Sequence, residues 1–451
     1  MYLTDRSAAP AADTGPGRRR GLRPGVTPVV LVLGTVSLIT DISSEMVTAV
    51  LPLYLVTTLG FSPLAFGTLD GVYNGVSALV QLTGGHLADR VRNHKLLAGL
   101  GYGLSALCKP LLLLAGSIGT LGTVLALDRT GKGLRTAPRD AMISLSTPIA
   151  HQGRAFGVHR AMDTTGAMLG PLAAFLILSA AADGYDAVFG VSACVAVLGV
   201  IVLVLFVPGR RRDPPTDTTD MTGEAGGTGE AGEAGGSGAR PPVRVREALA
   251  LLRLPQLRAL ACCAALLGLT TVSDAFVYLL LQRRAGIGEE WFTLLPLGTA
   301  VVFLLLAVPV GALADRIGRH IVFLAGHLGL LTAYALLLWA PATPLLVPLV
   351  LALHGTFYAA TDGVLPAALA GIVPEHLRAS GLAIVGTSQA LARFCCSLGF
   401  GAAWTMWGDG PALAGSAVGL LCCAAVAGLV LRPARRIRRP PPQPDEQQGP
   451  T

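Results

Sequence analysis

Between Leu127 and Ala141 the chain reads LDRTGKGLRTAPRDA, six ionisable residues flanked on both sides by sequence as apolar as a membrane span. Such a set could cradle a phosphate, hold an anion or pass a proton between partners. Spacing excludes the first. A phosphate-cradling loop needs a glycine five residues before its Gly-Lys pair and a Ser or Thr after the lysine. Here position 126 is Ala and Lys132 is followed by Gly133. Wound into a helix, Asp128, Lys132, Arg135 and Arg139 fall on one stripe about 60° wide and roughly 16 Å tall. Arg129 and Asp140 point elsewhere, into helix contacts. Ionisable groups at membrane depth face a cavity or a partner, seldom lipid.

Partners of opposite sign lie elsewhere in the chain. Asp41 and Glu45 are four residues apart, hence on one helical face. Asp70, Asn74, Ser77 and Gln81 follow the same periodicity, and Asp163 lies near His159 and Arg160. A later, sparser set comprises Asp274, His354, Asp362, Gln389 and Arg393. Burial favours a carboxyl's neutral form and a nearby cation its charged form, so a carboxylate balanced between them changes protonation as its surroundings change. Asp41, Glu45 and Asp128 are therefore the expected proton carriers. Asp70, Asn74, Lys132, Arg135, Asp274 and Arg393 are expected to line a substrate cleft. The alternative is an ion-pair lattice that only stiffens the bundle, an account strongest for Arg139 and Asp140.

The elements that must hold these residues follow from composition. Of 451 residues, 52% are hydrophobic and 14% charged, with a mean hydropathy of +0.61. A soluble domain carries about a quarter charged residues. Apolar runs long enough to cross a bilayer, about 20 residues each, recur throughout. The reading is an all-α membrane protein of twelve spans, at 28–58, 64–88, 96–116, 119–146, 153–180, 186–207, 252–281, 291–313, 321–340, 344–372, 378–404 and 411–431. The sequence pI of about 9.1 reflects basic loops that set topology rather than nucleic-acid binding. The eight cysteines lie in apolar runs, three pairs of them adjacent, a pattern suited to packing rather than to disulfides or zinc.

The division expected is a disordered tail over 1–27, a six-helix bundle over 28–207, a linker over 208–251, a second six-helix bundle over 252–432 and a tail over 433–451. The linker contains MTGEAGGTGEAGEAGGSGAR, which cannot build a core and reads as a flexible tether. The bundles are a repeat. GGHLADRVRNH near Asp89 matches VGALADRIGRH near Asp315, and LALD ending at Asp128 matches LALH ending at His354, both at an offset of 226 residues. Repeated halves place a binding site at their interface near the bilayer midplane. The basic loops, among them DRVRNHK, DRIGRH and RPARRIRR, fall on one side. Both termini and the tether are accordingly expected in the cytoplasm, with the protein in the plasma membrane. The first apolar run, with Asp41 and Glu45 inside it, does not read as a cleaved signal peptide.

Two motifs carry a resemblance. Gly85, Asp89, Arg90 and Lys95 follow the G-x-x-x-D-R-x-G-x-[RK]-[RK] pattern, with Arg92 and Asn93–His94 departing from it. Gly311, Asp315, Arg316, Gly318 and Arg319 repeat it in the second half. On these the chain resembles the major facilitator superfamily of transporters over about residues 28–432. The resemblance implies two six-helix repeats and a conformational gate at Gly85, Asp89, Arg90, Asp315 and Arg316. Gly157, Gly166, Gly170 and Pro171 follow G-x8-G-x3-G-P, similar to the motif associated with the superfamily's antiporters, although Ala174 and Phe175 stand where paired glycines usually continue.

The expected function is thus secondary transport, with proton-coupled export of a small organic molecule favoured over proton-coupled import of an organic anion. Protons, a small-molecule substrate and the lipid bilayer are the expected partners, with no nucleic acid, no cofactor and a monomeric state. No H-E-x-x-H or other recognised catalytic spacing occurs, so an enzyme is not expected. A set of aromatics, Tyr54, Phe61, Phe66, Tyr73, Phe276, Tyr278, Phe357 and Tyr358, is available to line the cleft.

Overall fold

A computed structural model describes residues 26–90, 93–148, 151–181, 184–208, 251–362, 364–370, 372–374 and 377–431. Side chains of several further residues within helices, among them 77–78 and 81–90, also lie outside the described set. The expected tails and tether therefore fall almost wholly beyond the described residues. So do the side chains of Ser77, Gln81, Gly85, Asp89 and Arg90, whose backbone continues a helix.

The first half holds α1 (Pro28–Leu53, continuing as a π-helical turn through Thr58), α2 (Pro63–Arg90), α3 (His94–Leu114), α4 (Ile118–Ser146), α5 (Gln152–Ala180) and α6 (Gly184–Phe206). These follow the expected spans to within two residues at nearly every end. The second half departs from expectation twice. The seventh span is broken, with α7 (Pro255–Gly268) and α8 (Asp274–Ala285) flanking a non-helical 269–273. The eighth comprises a short α9 (Glu289–Phe292) and α10 (Leu295–Ile317), and α11 (Arg319–Trp339) is the ninth. The tenth is interrupted between α12 (Leu346–Thr361) and α13 (Val364–Ala370); α14 (Arg378–Trp407) and α15 (Asp409–Val430) complete the chain.

A break inside a membrane is tolerated only where freed backbone groups find protein partners. At the seventh span the Val272 amide donates to the Tyr334 hydroxyl of α11 at 2.8 Å. Asp274 then sits in the first turn of α8, where the helix dipole favours a carboxylate.

Seven helical segments among the described residues are long and apolar enough by themselves to cross a membrane. The remainder are either broken or, like α2 and α4, carry the polar residues that face inward. Side chains such as Leu205, Leu305, Val308 and Leu429 are exposed on the outside of the bundle, as lipid contact requires.

Small residues set how closely the helices approach. A methyl group on Gly166 would come 2.4 Å from the Leu38 carbonyl oxygen, and one on Gly170 would come 2.7 Å from Glu45 Cβ. The α1–α5 seam thus depends on two glycines of the antiporter-like motif, whereas Gly157 faces open space. The halves meet along the first part of α2 against α14, where Gly67 abuts the Ser397 carbonyl and Gly401 abuts that of Pro63. At the same end Phe175 packs on Trp291 at 5.1 Å, and the Tyr185 hydroxyl donates to Glu289 at 2.7 Å.

Candidate functional site

The charged face of α4 divides among three neighbouring helices. At its upper end Asp128, 4% exposed, accepts from Lys109 of α3 at 3.0 Å, from Arg129 at 2.5 Å and from Ser105 at 2.6 Å. Arg129 also stacks on the Tyr73 ring of α2, 4.2 Å from its centroid. Lower on the same face Lys132 approaches Glu45 at 3.7 Å, and Arg135, 3% exposed, donates to Asp41 at 3.3 Å. Arg135 further stacks on Tyr102 at 4.5 Å. Arg139 bonds Asp140 at 3.0 Å, reaches Asp163 of α5 at 3.6 Å and donates to Ser37, which also bonds His159. Arg135 and Arg139 lie one helical turn apart on α4, so the Asp41 and Asp163 carboxyls they hold face the same part of the bundle.

The structure therefore brings Lys132 and Arg135 to Glu45 and Asp41, but it takes Asp128 out of that group. The physical reason is Lys109, a lysine buried to 2% exposure in the apolar α3, which pairs with Asp128 at 3.0 Å and holds it toward α3 rather than α1. Asp128 thus stands as one carboxylate between two cations. Lys132 and Arg135 also do not line the main cavity, because both turn to carboxylates of α1. Sequence reasoning passed over Lys109. Its signal was present: a lone lysine inside an apolar span is costly unless partnered.

The main cavity, of about 360 Å³, lies between the halves. From the first half it is lined by Glu45, Thr48, Asp70, Tyr73 and Asn74, and from the second by Asp274, Tyr278, Phe303, Tyr358, Asp362 and Arg393. Asp70 accepts from Ser397 of α14 at 2.5 Å and from Asn74 at 3.4 Å. Asp274 Oδ1 accepts from the Tyr358 hydroxyl at 2.5 Å and faces His354 Nε2 at 3.3 Å. His354 itself is 1% exposed, with no hydrogen-bond partner for Nδ1 among the described residues. A second cavity of about 150 Å³ shares Thr271, Asp362 and Arg393 with the first and continues past His327 and Gln389. Of the expected aromatics, Tyr73, Tyr278 and Tyr358 reach the main cavity and Phe357 lines the second. Phe66 and Phe276 instead pack edge to face on each other, and Tyr54 packs on Phe189.

At the loop between α10 and α11, Asp315 pairs with Arg319 at 3.1 Å on the exposed surface, and Gly318 adopts φ 111°. At the corresponding loop of the first half, Lys95 donates to the Val204 and Val207 carbonyls at 3.0 and 2.5 Å, capping the end of α6.

The family model of the Major Facilitator Superfamily matches residues 33–394 and 292–451. The chain belongs to the Major Facilitator Superfamily. It is therefore a multi-pass membrane transporter of twelve spans in two six-helix repeats and not an enzyme, as the sequence motifs imply. A curated relative, an uncharacterized MFS-type transporter of Methanocaldococcus jannaschii, is 29% identical over 413 residues, covering 89% of this chain and 94% of the relative. An uncharacterized protein of Mycobacterium bovis is 32% identical over 162 residues, covering 36% of this chain and 39% of its own length. Among solved structures, the nucleoside transporter NupG superposes with a TM-score of 0.73 at 12% identity, covering 90% of this chain and all of that one. A bacterial homolog of the human lysosomal transporter Spinster, in an inward-facing and unoccupied conformation, gives 0.67 at 15% identity, with 91% and 98% covered. At these identities the likeness to the solved structures carries the fold alone.

Proposed function

We propose that this superfamily member is a proton-coupled antiporter that exports a small organic molecule by alternating access. It sits in the plasma membrane with both termini in the cytoplasm, an orientation supported by its one-sided basic loops. The observation that carries the proposal is the charge network that sets Asp41 and Asp163 beside Arg135 and Arg139. Four carboxyls in this network, Asp41, Glu45, Asp140 and Asp163, face three cations, Lys132, Arg135 and Arg139. Burial and a surplus of like charge favour the neutral form of a carboxyl, and one proton balances the network. Glu45 lies one helical turn from Asp41 and lines the main cavity. A proton held at the Asp41–Asp163 pair thus has a short path to the surface that meets substrate. Gly166 and Gly170 press α5 against α1 beside this pair, which supports a role for the antiporter-like motif in keeping the proton site closed.

Import of an organic anion has weaker support. It leaned on the basic stripe of α4, and there Lys132 and Arg135 are engaged by Glu45 and Asp41 and do not themselves line the cavity.

The test is reconstitution into liposomes with an imposed pH gradient and a mixed metabolite panel, read by mass spectrometry. Asp41→Asn and Asp163→Asn should each lower pH-driven accumulation at least tenfold while substrate exchange without a gradient persists. Undiminished pH-driven transport by both variants refutes the coupling site. Uptake into inside-out vesicles driven by an acidic interior is the outcome expected for export.

A further inference from the structure

Resting on the reading of the inter-half cavity as the transport site, we propose that its cargo is an organic cation: a protonated amine or quaternary ammonium on a partly apolar body. The cavity walls hold four carboxylates, Glu45, Asp70, Asp274 and Asp362, and one arginine, Arg393. Lys132 can be set against Glu45 and Arg393 against Asp362, while Asp274 has the His354 ring nitrogen at 3.3 Å. One carboxylate still has no counter-charge among the described residues. An uncompensated buried charge is costly, and a cationic cargo supplies what is missing.

The acids also present free acceptors. Asp274 Oδ1 takes both Tyr358 and His354, which leaves Oδ2 without a protein donor among the described residues. The Asp362 amide bonds the Tyr358 carbonyl, but its carboxylate, which lines the cavity, makes no side-chain hydrogen bond or ion pair among them. An ammonium carries only donors, which matches this deficit. Around the acids stand the rings of Tyr278, Tyr358 and Phe303, and aromatic faces attract cations further. The α4 residues that would have recognised an anion, Lys132 and Arg135, are paired with Glu45 and Asp41 and stand outside the lining. Glu45 links the two roles: it lines the cavity and pairs with Lys132 of the proton network, one helical turn from Asp41.

Three probes with one body and different charge isolate the claim: phenethylammonium, 2-phenylethanol and phenylacetate, with tetraethylammonium as a quaternary control. Affinities are measured by calorimetry on the purified full-length protein in nanodiscs. At least one of the two cations should bind tenfold or more tighter than phenylacetate and 2-phenylethanol. Asp274→Asn and Glu45→Gln should each weaken that cation about tenfold, a shift of about 1.4 kcal/mol. The proposal is overturned if phenylacetate binds as tightly as the cations, if neither cation binds, or if both variants keep the parent affinity. Cation binding with transport that ignores a pH gradient would instead sink the proton coupling and leave the cargo class standing.

Discussion

Asp128 and its two cations offer the sharpest test of the charge assignments, because removal of different members should have unequal effects. Lys109 and Arg129 are 2% and 4% exposed, and both reach the same carboxylate. In Asp128→Asn two buried cations lose their only ion-pair partner among the described residues, and breaking a buried pair this way costs about 3–5 kcal/mol. In Lys109→Met the surplus cation is replaced by an apolar side chain of similar length. Asp128 keeps Arg129 and the Ser105 hydroxyl, so the remaining pair is balanced and the change should cost about 1 kcal/mol or less, as apolar replacements of buried charges often do. The assay is the fraction of monodisperse protein left after heating in detergent, by fluorescence-detected size exclusion. The expected order is parent, then Lys109→Met close to it, then Asp128→Asn far below. Equal losses in the two variants would refute the reasoning, since they would mean that Lys109 is a required member of the cluster rather than its excess charge.

Two further outcomes follow from geometry. Gly166→Leu would drive a side chain into the Leu38 backbone, so it should abolish recovery of folded protein, whereas Gly157→Leu, in open space, should not; expression and size-exclusion profiles compare them. Ser397→Ala removes the 2.5 Å bond to Asp70 that ties α14 to α2, so this end of the molecule should open more readily. A cysteine placed at Thr48, in a background free of the native cysteines, should then be labelled at least several-fold faster by a membrane-impermeant thiol reagent added from that side.

Much of the fold was legible in the sequence because lipid makes burial and backbone satisfaction strict, so apolar length by itself marked seven of the helical segments. The breaks at 269–273 and near Asp362 were not. The first lies in TTVS, which carries no proline or glycine of its own, and depends on a hydroxyl at Tyr334, 62 residues away from the amide it caps. The α4 stripe was legible for Lys132, Arg135 and Arg139, since helical periodicity fixes which residues share a face. It failed for Asp128 because partner choice depends on what the next helix presents, and Lys109 was the deciding neighbour. The acids of the second half could be named but not joined: nothing local to Asp274 or His354 shows that a helix break brings them within 3.3 Å.

The broken seventh span has one more implication. Asp274 rides on a rigid piece of only 12 residues, bounded by an uncoiled joint before it and by Gly286 in a left-handed turn after it. Whatever tilts that piece carries the carboxylate with it and pulls on the Tyr334 tether at the joint. The part of the wall best built to pivot is also the part that holds the charge.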